Sequence, residues 1–313
     1  MPYLMLILSE LFWSGNFVLS RGMNAEIAPF SLSFWRWAMA LLILLPFALK
    51  QLKQDRKIIQ KNLKFIFFQG IVSITFFNTL IYIALQSTTA INATLVNSAT
   101  PVMIAVISWA VYGERLTGFQ SMGILLSFFG VLYLISKGNL DILLAMEFNR
   151  GDIIVLFAAL LWAIYSVNLK KAPKELHQIS YLVSINIVGV FALVPLFLYD
   201  ISQGKTFPIT VPNVMTIGYV ALFASVLGFL LWNGAIKKLG ANKAGPFIHL
   251  MPVFSTILAV LFLDEKLMHY HLSGTIFVFA GIFITSFKFS MLLRKNVKKY
   301  LHKSWKRQLQ RQT

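Results

Sequence analysis

Residues 101–116 read PVMIAVISWAVYGERL, and residues 252–267 read PVFSTILAVLFLDEKL. The second stretch repeats the proline, valine, glutamate and leucine of the first, 151 residues further on. Working outward at that offset, Ala84, Ala90, Ala93, Gly123, Phe128 and Gly130 fall on Ala235, Ala241, Ala244, Gly274, Phe279 and Gly281. Nearer the start the offset is 149: Leu11, Trp13, Val18 and Pro46 fall on Leu160, Trp162, Val167 and Pro195, and Arg21 meets Lys170. One two-residue length change reconciles the two offsets. Apolar matches are cheap in a chain like this, but two proline pairs, a tryptophan pair, a glutamate pair and two glycine pairs in one register are not. The chain is a tandem duplication.

The solvent of this duplication is lipid. The 313 residues are 58% hydrophobic and 12% charged, with a mean hydropathy of +0.72; a soluble domain carries about 25% charge. Ten apolar runs long enough to cross roughly 30 Å of hydrocarbon lie near 3–20, 30–49, 65–85, 91–112, 119–136, 152–169, 179–199, 213–235, 244–263 and 270–291. The first reads as a span rather than a signal peptide, since no positive region precedes it and no small-residue cleavage site follows it. The organisation expected is all-α and polytopic, with five-helix halves at 3–136 and 151–290 and a basic tail at 291–313. An odd number of spans per half inserts the second half upside down relative to the first. Charge supports this. With the N-terminus in the cytoplasm, 22 Lys and Arg fall inside and five (Arg21, Lys137, Arg150, Lys205, Lys266) outside, the bias expected for N-in, C-in.

The net charge of +17 does not point to nucleic acid, because it is concentrated beside the membrane. Eight bases and no acid lie between Arg294 and Arg311, with Val297, Leu301, Trp305 and Leu309 at steps of four. An amphipathic basic helix on the anionic lipids of the inner leaflet is the expected partner interaction. The chain has no cysteine and one mid-span histidine, so neither a metal site nor a cofactor is expected. It also has no GxSxG, HExxH or P-loop lysine, which argues against an intramembrane enzyme or an ATP-driven pump. A receptor would have only the basic tail behind it.

Very apolar tandem halves point to a secondary transporter, with its site near the midplane where the halves meet. Polar side chains there are costly and mostly face the bundle interior. Candidate solute contacts are Trp13, Asn16, Asn78, Tyr82, Asn97 and Ser98 from the first half, and Trp162, Tyr165, Trp232, Asn233 and His249 from the second. Trp162 and Tyr165 are three apart and share a helix face. Such a mixture of rings and amides suits a zwitterion or an amphipathic metabolite, although the same side chains also serve as interhelical contacts. Glu10, whose counterpart is Ala159, is a candidate for proton coupling. Arg36 is a candidate anion contact or a structural pair. Pro101 and Pro252 should kink spans 4 and 9, either as hinges or as static bends. Glu114 and Glu265 are expected to form helix-end pairs with the adjacent bases Arg115 and Lys266. Gly123, Gly130, Gly274 and Gly281 mark faces for close helix contact, within the scaffold or in a homodimer.

Four segments, LFWSGNFVLSR (11–21), Pro29–Arg36, Pro101–Leu116 ending in GERL and Pro252–Leu267 ending in DEKL, resemble the EamA family of the drug/metabolite transporter superfamily. The resemblance extends over about residues 3–290. It implies a ten-helix permease of a bacterial inner membrane that moves small organic solutes, often amino acids or related metabolites and commonly outward. Efflux of drugs or toxic compounds by the same fold is the alternative. The second-half counterpart of the first motif, LLWAIYSVNLKK, keeps Trp162 but lacks Gly15 and Asn16.

Overall fold

A computed structural model of the chain describes residues 1–23, 26–145, 149–205, 209–262 and 268–286. Among these residues there are helices and turns and no strand. The first half comprises α1 (Pro2–Gly22), α2 (Pro29–Lys61), α3 (Leu63–Gly70), a π-helical stretch (Ile71–Phe77), α4 (Asn78–Ala84), α5 (Ala90–Asn97), α6 (Thr100–Tyr112) and α7 (Gly118–Ile135). After the short α8 (Leu140–Leu144) come α9 (Arg150–Asn168), α10 (Gln178–Ser202), α11 (Val211–Tyr219), a second π stretch (Val220–Leu227), α12 (Gly228–Leu239), α13 (Ala241–Ala244), α14 (Leu250–Phe262) and α15 (His269–Ser286). Eight continuous helical segments are long and apolar enough to cross a membrane. The expected basic tail, the end of the last span and Glu265 lie outside the described residues.

Unusual features recur in both halves. Each π stretch interrupts the third long helix of its half, and their starts, Ile71 and Val220, are 149 residues apart. The fourth long helix is broken in each half as well: α5 gives way to α6 at Ser98–Ala99, and α13 reaches α14 through a 3-10 turn at Gly245–His249. The halves interlock through their first helices. α1 packs against the π stretch, α12 and α14 of the second half, while α9 packs against the π stretch, α4, α5 and α6 of the first.

The closest contact is between α7 and α15. A Cβ on Gly123 would stand 2.5 Å from the carbonyl oxygen of Gly281, and one on Gly130 would stand 2.8 Å from that of Gly274. The helices are therefore antiparallel, and each glycine meets the partner of the other rather than its own. That reciprocity is what a local two-fold axis produces. The four glycines expected to mark a helix-contact face are engaged within one chain, where only a missing Cβ allows backbones so near.

Helix α2 outruns the span read from hydropathy, 30–49, and continues to Lys61. Its 33 residues rise about 50 Å, well beyond a hydrocarbon core of roughly 30 Å. Nothing in Gln51–Lys61 breaks a helix, and its charges belong in water. Asp55, buried on this extension, accepts bonds from the backbone N–H of His177 (3.1 Å) and from its Nδ1 (3.0 Å). The extension is thus tied to the start of α10.

Candidate functional site

At the contact between the halves the structure places a cluster of aromatic rings. The Trp162 ring lies 5.0 Å from Trp13, 4.7 Å from Phe77, 5.1 Å from Tyr165, 5.3 Å from Phe229 and 5.9 Å from Trp232. Several of these contacts are edge-on or tilted, as ring quadrupoles prefer. Two indole N–H groups of the cluster have partners, one across the halves and one within the second half. Trp13 Nε1 donates to the carbonyl of Ala224 (2.8 Å), and Trp232 Nε1 donates to Ser166 Oγ (3.2 Å). Ala224 belongs to the second π stretch. The carbonyl of Val220 in that stretch accepts from Ser225 Oγ (2.8 Å), and the carbonyl of Ser73 in the first accepts from Asn78 Nδ2 (2.7 Å). The π geometry leaves carbonyls open to side chains, which is one reason such stretches gather at sites.

On one side of the rings lies a small cavity of about 20 Å³, room for about one water. Its lining includes Glu10, Trp13, Asn16, Arg36, Asn78 and Asn97 from the first half, and Trp162, Phe229, Ile248 and Met251 from the second. Arg36 is buried here without a carboxylate: the described residues hold two ion pairs, and neither involves it. Its Nε donates to Ser225 Oγ (2.5 Å), and its Nη1 donates to Tyr82 Oη (2.7 Å) and Asn16 Oδ1 (3.4 Å). Tyr82 in turn donates to Asn16 Oδ1 (3.0 Å), and the guanidinium lies over the Trp37 ring at 5.2 Å. Leaving an arginine unsatisfied in mid-membrane costs roughly 2.5–3.5 kcal/mol on insertion scales. Charge-assisted hydrogen bonds of about 1.5–3 kcal/mol each offset that, so the neutral partners suffice to hold Arg36 in place. Glu10 differs. It is fully buried, and neither carboxyl oxygen has a hydrogen-bond partner among the described residues.

On the other side of the rings a vestibule of about 290 Å³ is lined by residues that include Ser166, Tyr181, Asn233, Glu114, Lys170 and Lys237. Ser166 and Asn233 sit four residues beyond Trp162 and Phe229, one turn along the same faces of α9 and α12. The vestibule floor and the cavity wall are therefore separated by about 6 Å of helix rise, filled by the rings. Asn233 accepts from Tyr165 Oη (2.8 Å), and its own amide nitrogen is buried without a partner. At the mouth, Glu114 pairs with Lys170 of the opposite half and accepts from Asn242 Nδ2 (3.3 Å). This corrects the expected pairing with Arg115: at the end of α6 the chain turns through a left-handed Gly113, and the carboxylate reaches across the opening to the 3-10 turn Leu169–Lys171 that follows α9.

The remaining expected residues have structural partners. His249 is buried, with Nδ1 2.6 Å from Ser127 Oγ and Nε2 3.0 Å from the Ser98 carbonyl. A carbonyl only accepts, so Nε2 carries the proton. The ring ties α7 to the break between α5 and α6, while its neighbours Ile248 and Met251 face the cavity. The Ser98 hydroxyl donates to the Thr94 carbonyl (2.8 Å), and Asn97 Nδ2 approaches Met251 Sδ (3.5 Å). Pro101 occupies the first turn of α6, where a missing N–H costs nothing, and Pro252 is the third residue of α14. Each therefore starts a helix after a break rather than bending a continuous one.

Sequence reasoning passed over Phe77, Phe229, Ser225 and Gln69. Gln69 donates to Tyr181 Oη (3.1 Å) and to the Tyr165 carbonyl (3.3 Å). Phe229 had a usable signal, standing three before Trp232 and four before Asn233. Ser225 had none, because its role depends on where Arg36 arrives from another helix.

Comparison with known proteins agrees with this architecture. The model of the EamA-like transporter family matches residues 1–136 and again 149–287. An uncharacterized transporter of Bacillus subtilis, YyaM, is 26% identical over 91% of this chain and 93% of its own. An uncharacterized transporter of Archaeoglobus fulgidus is 26% identical over 91% and 97%. A probable amino-acid metabolite efflux pump of Escherichia coli is 27% identical over 66% and 70%. One protein of known crystal structure shares the fold, with a TM-score of 0.73 over 95% of this chain and 98% of that one at 17% identity.

Proposed function

We propose, from the premise that this chain belongs to the EamA-like transporter family and is an integral multi-pass membrane transporter rather than an enzyme, that it exports small organic solutes across the cytoplasmic membrane of a bacterium. Amino acids and related metabolites are the solute class, as the name of the Escherichia coli relative suggests. The architecture is ten helices in two inverted five-helix halves, with both termini in the cytoplasm. The matched π stretches and the reciprocal glycine contacts of α7 and α15 support the inversion.

One observation carries the mechanism: a small cavity lined by both halves, mostly apolar but holding Glu10, Asn16, Arg36, Asn78 and Asn97, lies across a layer of rings from a larger vestibule. Lys170, Lys174 and Lys237 line that vestibule, which by the charge bias faces the cytoplasm. A solute enters there and displaces the Trp162, Tyr165, Phe229 and Trp232 rings. It then occupies an enlarged cavity among Trp13, Asn16, Asn78 and Asn97, with Arg36 as its anion contact. Rocking of the halves about the breaks near Pro101 and Pro252 opens the other side.

Counterflow in proteoliposomes loaded with each of the twenty amino acids tests this reading. Accumulation of labelled solute, lost in Trp162→Ala, is the expected result. Silence of folded, inserted protein toward all twenty would remove amino acids, and a signal with amphipathic drugs instead would favour the efflux alternative.

A further inference from the structure

A carboxyl group and a guanidinium face the same small cavity without meeting. Among the described residues, Glu10 is wholly buried with both carboxyl oxygens unpartnered, and Arg36 is buried on neutral partners alone. A low-dielectric site makes each of them seek a counter-charge. Direct pairing would be the simplest solution, and it is absent from the ion pairs of the described residues. The separation explains this. Arg36 reaches the level of Asn16 on α1, six residues and about 9 Å of helix rise from Glu10. An α-amino acid holds its ammonium and carboxylate oxygens about 3 Å apart, and two charge-assisted hydrogen bonds of about 2.8 Å extend that to roughly the same length.

We propose that Glu10 and Arg36 form a two-ended clamp for a zwitterion: the guanidinium takes the solute carboxylate, the Glu10 carboxylate takes its ammonium, and Trp13 and Trp162 wall the side chain. This rests on the transporter reading above and narrows its solutes to molecules with a free amine next to a free acid. The guanidinium fork suits a carboxylate, and the cavity offers Glu10 as the only acid in its lining. The clamp is closed down in this structure, and solute entry requires the ring layer to part.

The test is counterflow with the twenty L-amino acids, the N-acetyl derivative of each, and the amine each becomes on decarboxylation. Counterflow needs no ion gradient, so it separates solute binding from proton coupling. Wild-type protein should exchange one or more zwitterions at least 10-fold faster than either of their derivatives. Glu10→Gln, which keeps shape and removes charge, should lose at least 10-fold of zwitterion exchange and shift preference toward the N-acetyl acid, with its melting temperature preserved. Zwitterion exchange at the wild-type rate in Glu10→Gln overturns the clamp and leaves Glu10 to protons. Equal exchange of derivatives and parent by the wild type overturns it too. If wild-type protein exchanges no amino acid, the solute class proposed above fails, and the clamp falls with it.

Discussion

Gly130→Ala should destabilise the protein by about 1–2 kcal/mol, although alanine is the better helix former. The new Cβ would stand 2.7 Å from the Val278 nitrogen, 2.8 Å from the Gly274 oxygen and 2.9 Å from Phe277 Cβ. Against the 3.4 Å of ordinary contact, the shortfall is about 0.6 Å, and two of the three atoms are backbone that cannot swing aside. α7 and α15 must separate by about that amount. A radial gap of 0.5–1 Å forfeits a quarter to a half of each dispersion contact along the seam, and overpacking of this kind costs about 1–3 kcal/mol. The gain in helix propensity is about 0.5–1 kcal/mol. Gly218→Ala is the control, because nothing lies within 4 Å of its added Cβ, and it should be neutral or stabilising. Melting in detergent, followed by size-exclusion chromatography of heated samples, should place Gly130→Ala several degrees below wild type and Gly218→Ala at or above it. Gly130→Ala combined with Gly274→Ala should cost less than the two separately, since both act at one crossing and the first already parts the helices. If Gly130→Ala melts with Gly218→Ala, the close antiparallel contact is wrong, and with it the support for inverted halves.

Four further outcomes follow from the site and its supports. Trp162→Ala removes the ring that touches five others and should abolish counterflow while joining vestibule to cavity, read as faster labelling of an Asn16→Cys reporter from the vestibule side. Lys170→Met should alter solute entry more than stability, because the Lys170–Glu114 side chains are 54% and 42% exposed and such pairs contribute about 0–1 kcal/mol; a melting shift above about 5 °C would count against this. His249→Phe breaks both ring bonds and should cost about 2 kcal/mol, with transport per folded molecule retained; loss of transport in fully folded protein would instead make His249 a solute contact. Burial pushes the Asp55 carboxyl up, but hydrogen bonds from Ser180 and His177 and the His177 charge outweigh it and hold Asp55 below its ordinary value of 3.8. A depressed carboxylate contributes stability above its unfolded value that is lost as pH falls through the folded one. The melting temperature should therefore drop with acidification below about pH 4, and more shallowly in Asp55→Asn; equal slopes would refute the Asp55–His177 tie.

Much of this was written into the chain locally. Runs of apolar residues locate the helices to within a few residues, because lipid demands both the length and the composition of each crossing. The matched positions Pro101 and Pro252, Glu114 and Glu265 and the two glycine pairs are legible in the sequence, and the family model matches the chain twice, at 1–136 and 149–287. Trp13, Asn16, Arg36, Asn78, Asn97 and Trp162 were identifiable as interior candidates, since polar groups and tryptophans at mid-span have few other places to go. The length of α2 was misjudged, because hydropathy reports where the membrane ends and not where the helix ends. Whether the span bends or breaks before Pro101 depends on the hydrogen bonds of the preceding turn, and the structure breaks it at Ser98–Ala99.

What only the tertiary structure decided is which of those groups meet. Arg36 settles on Ser225, Tyr82 and Asn16, from three separate helical segments. Glu114 crosses to Lys170 instead of pairing with its neighbour, and His249 is tied at both nitrogens beside the cavity while the Glu10 carboxyl inside it has no partner among the described residues. Periodicity assigns a side chain to a face of its own helix, but a partner on another helix is set by helix crossings, which depend on backbone clearances such as those at Gly123 and Gly130.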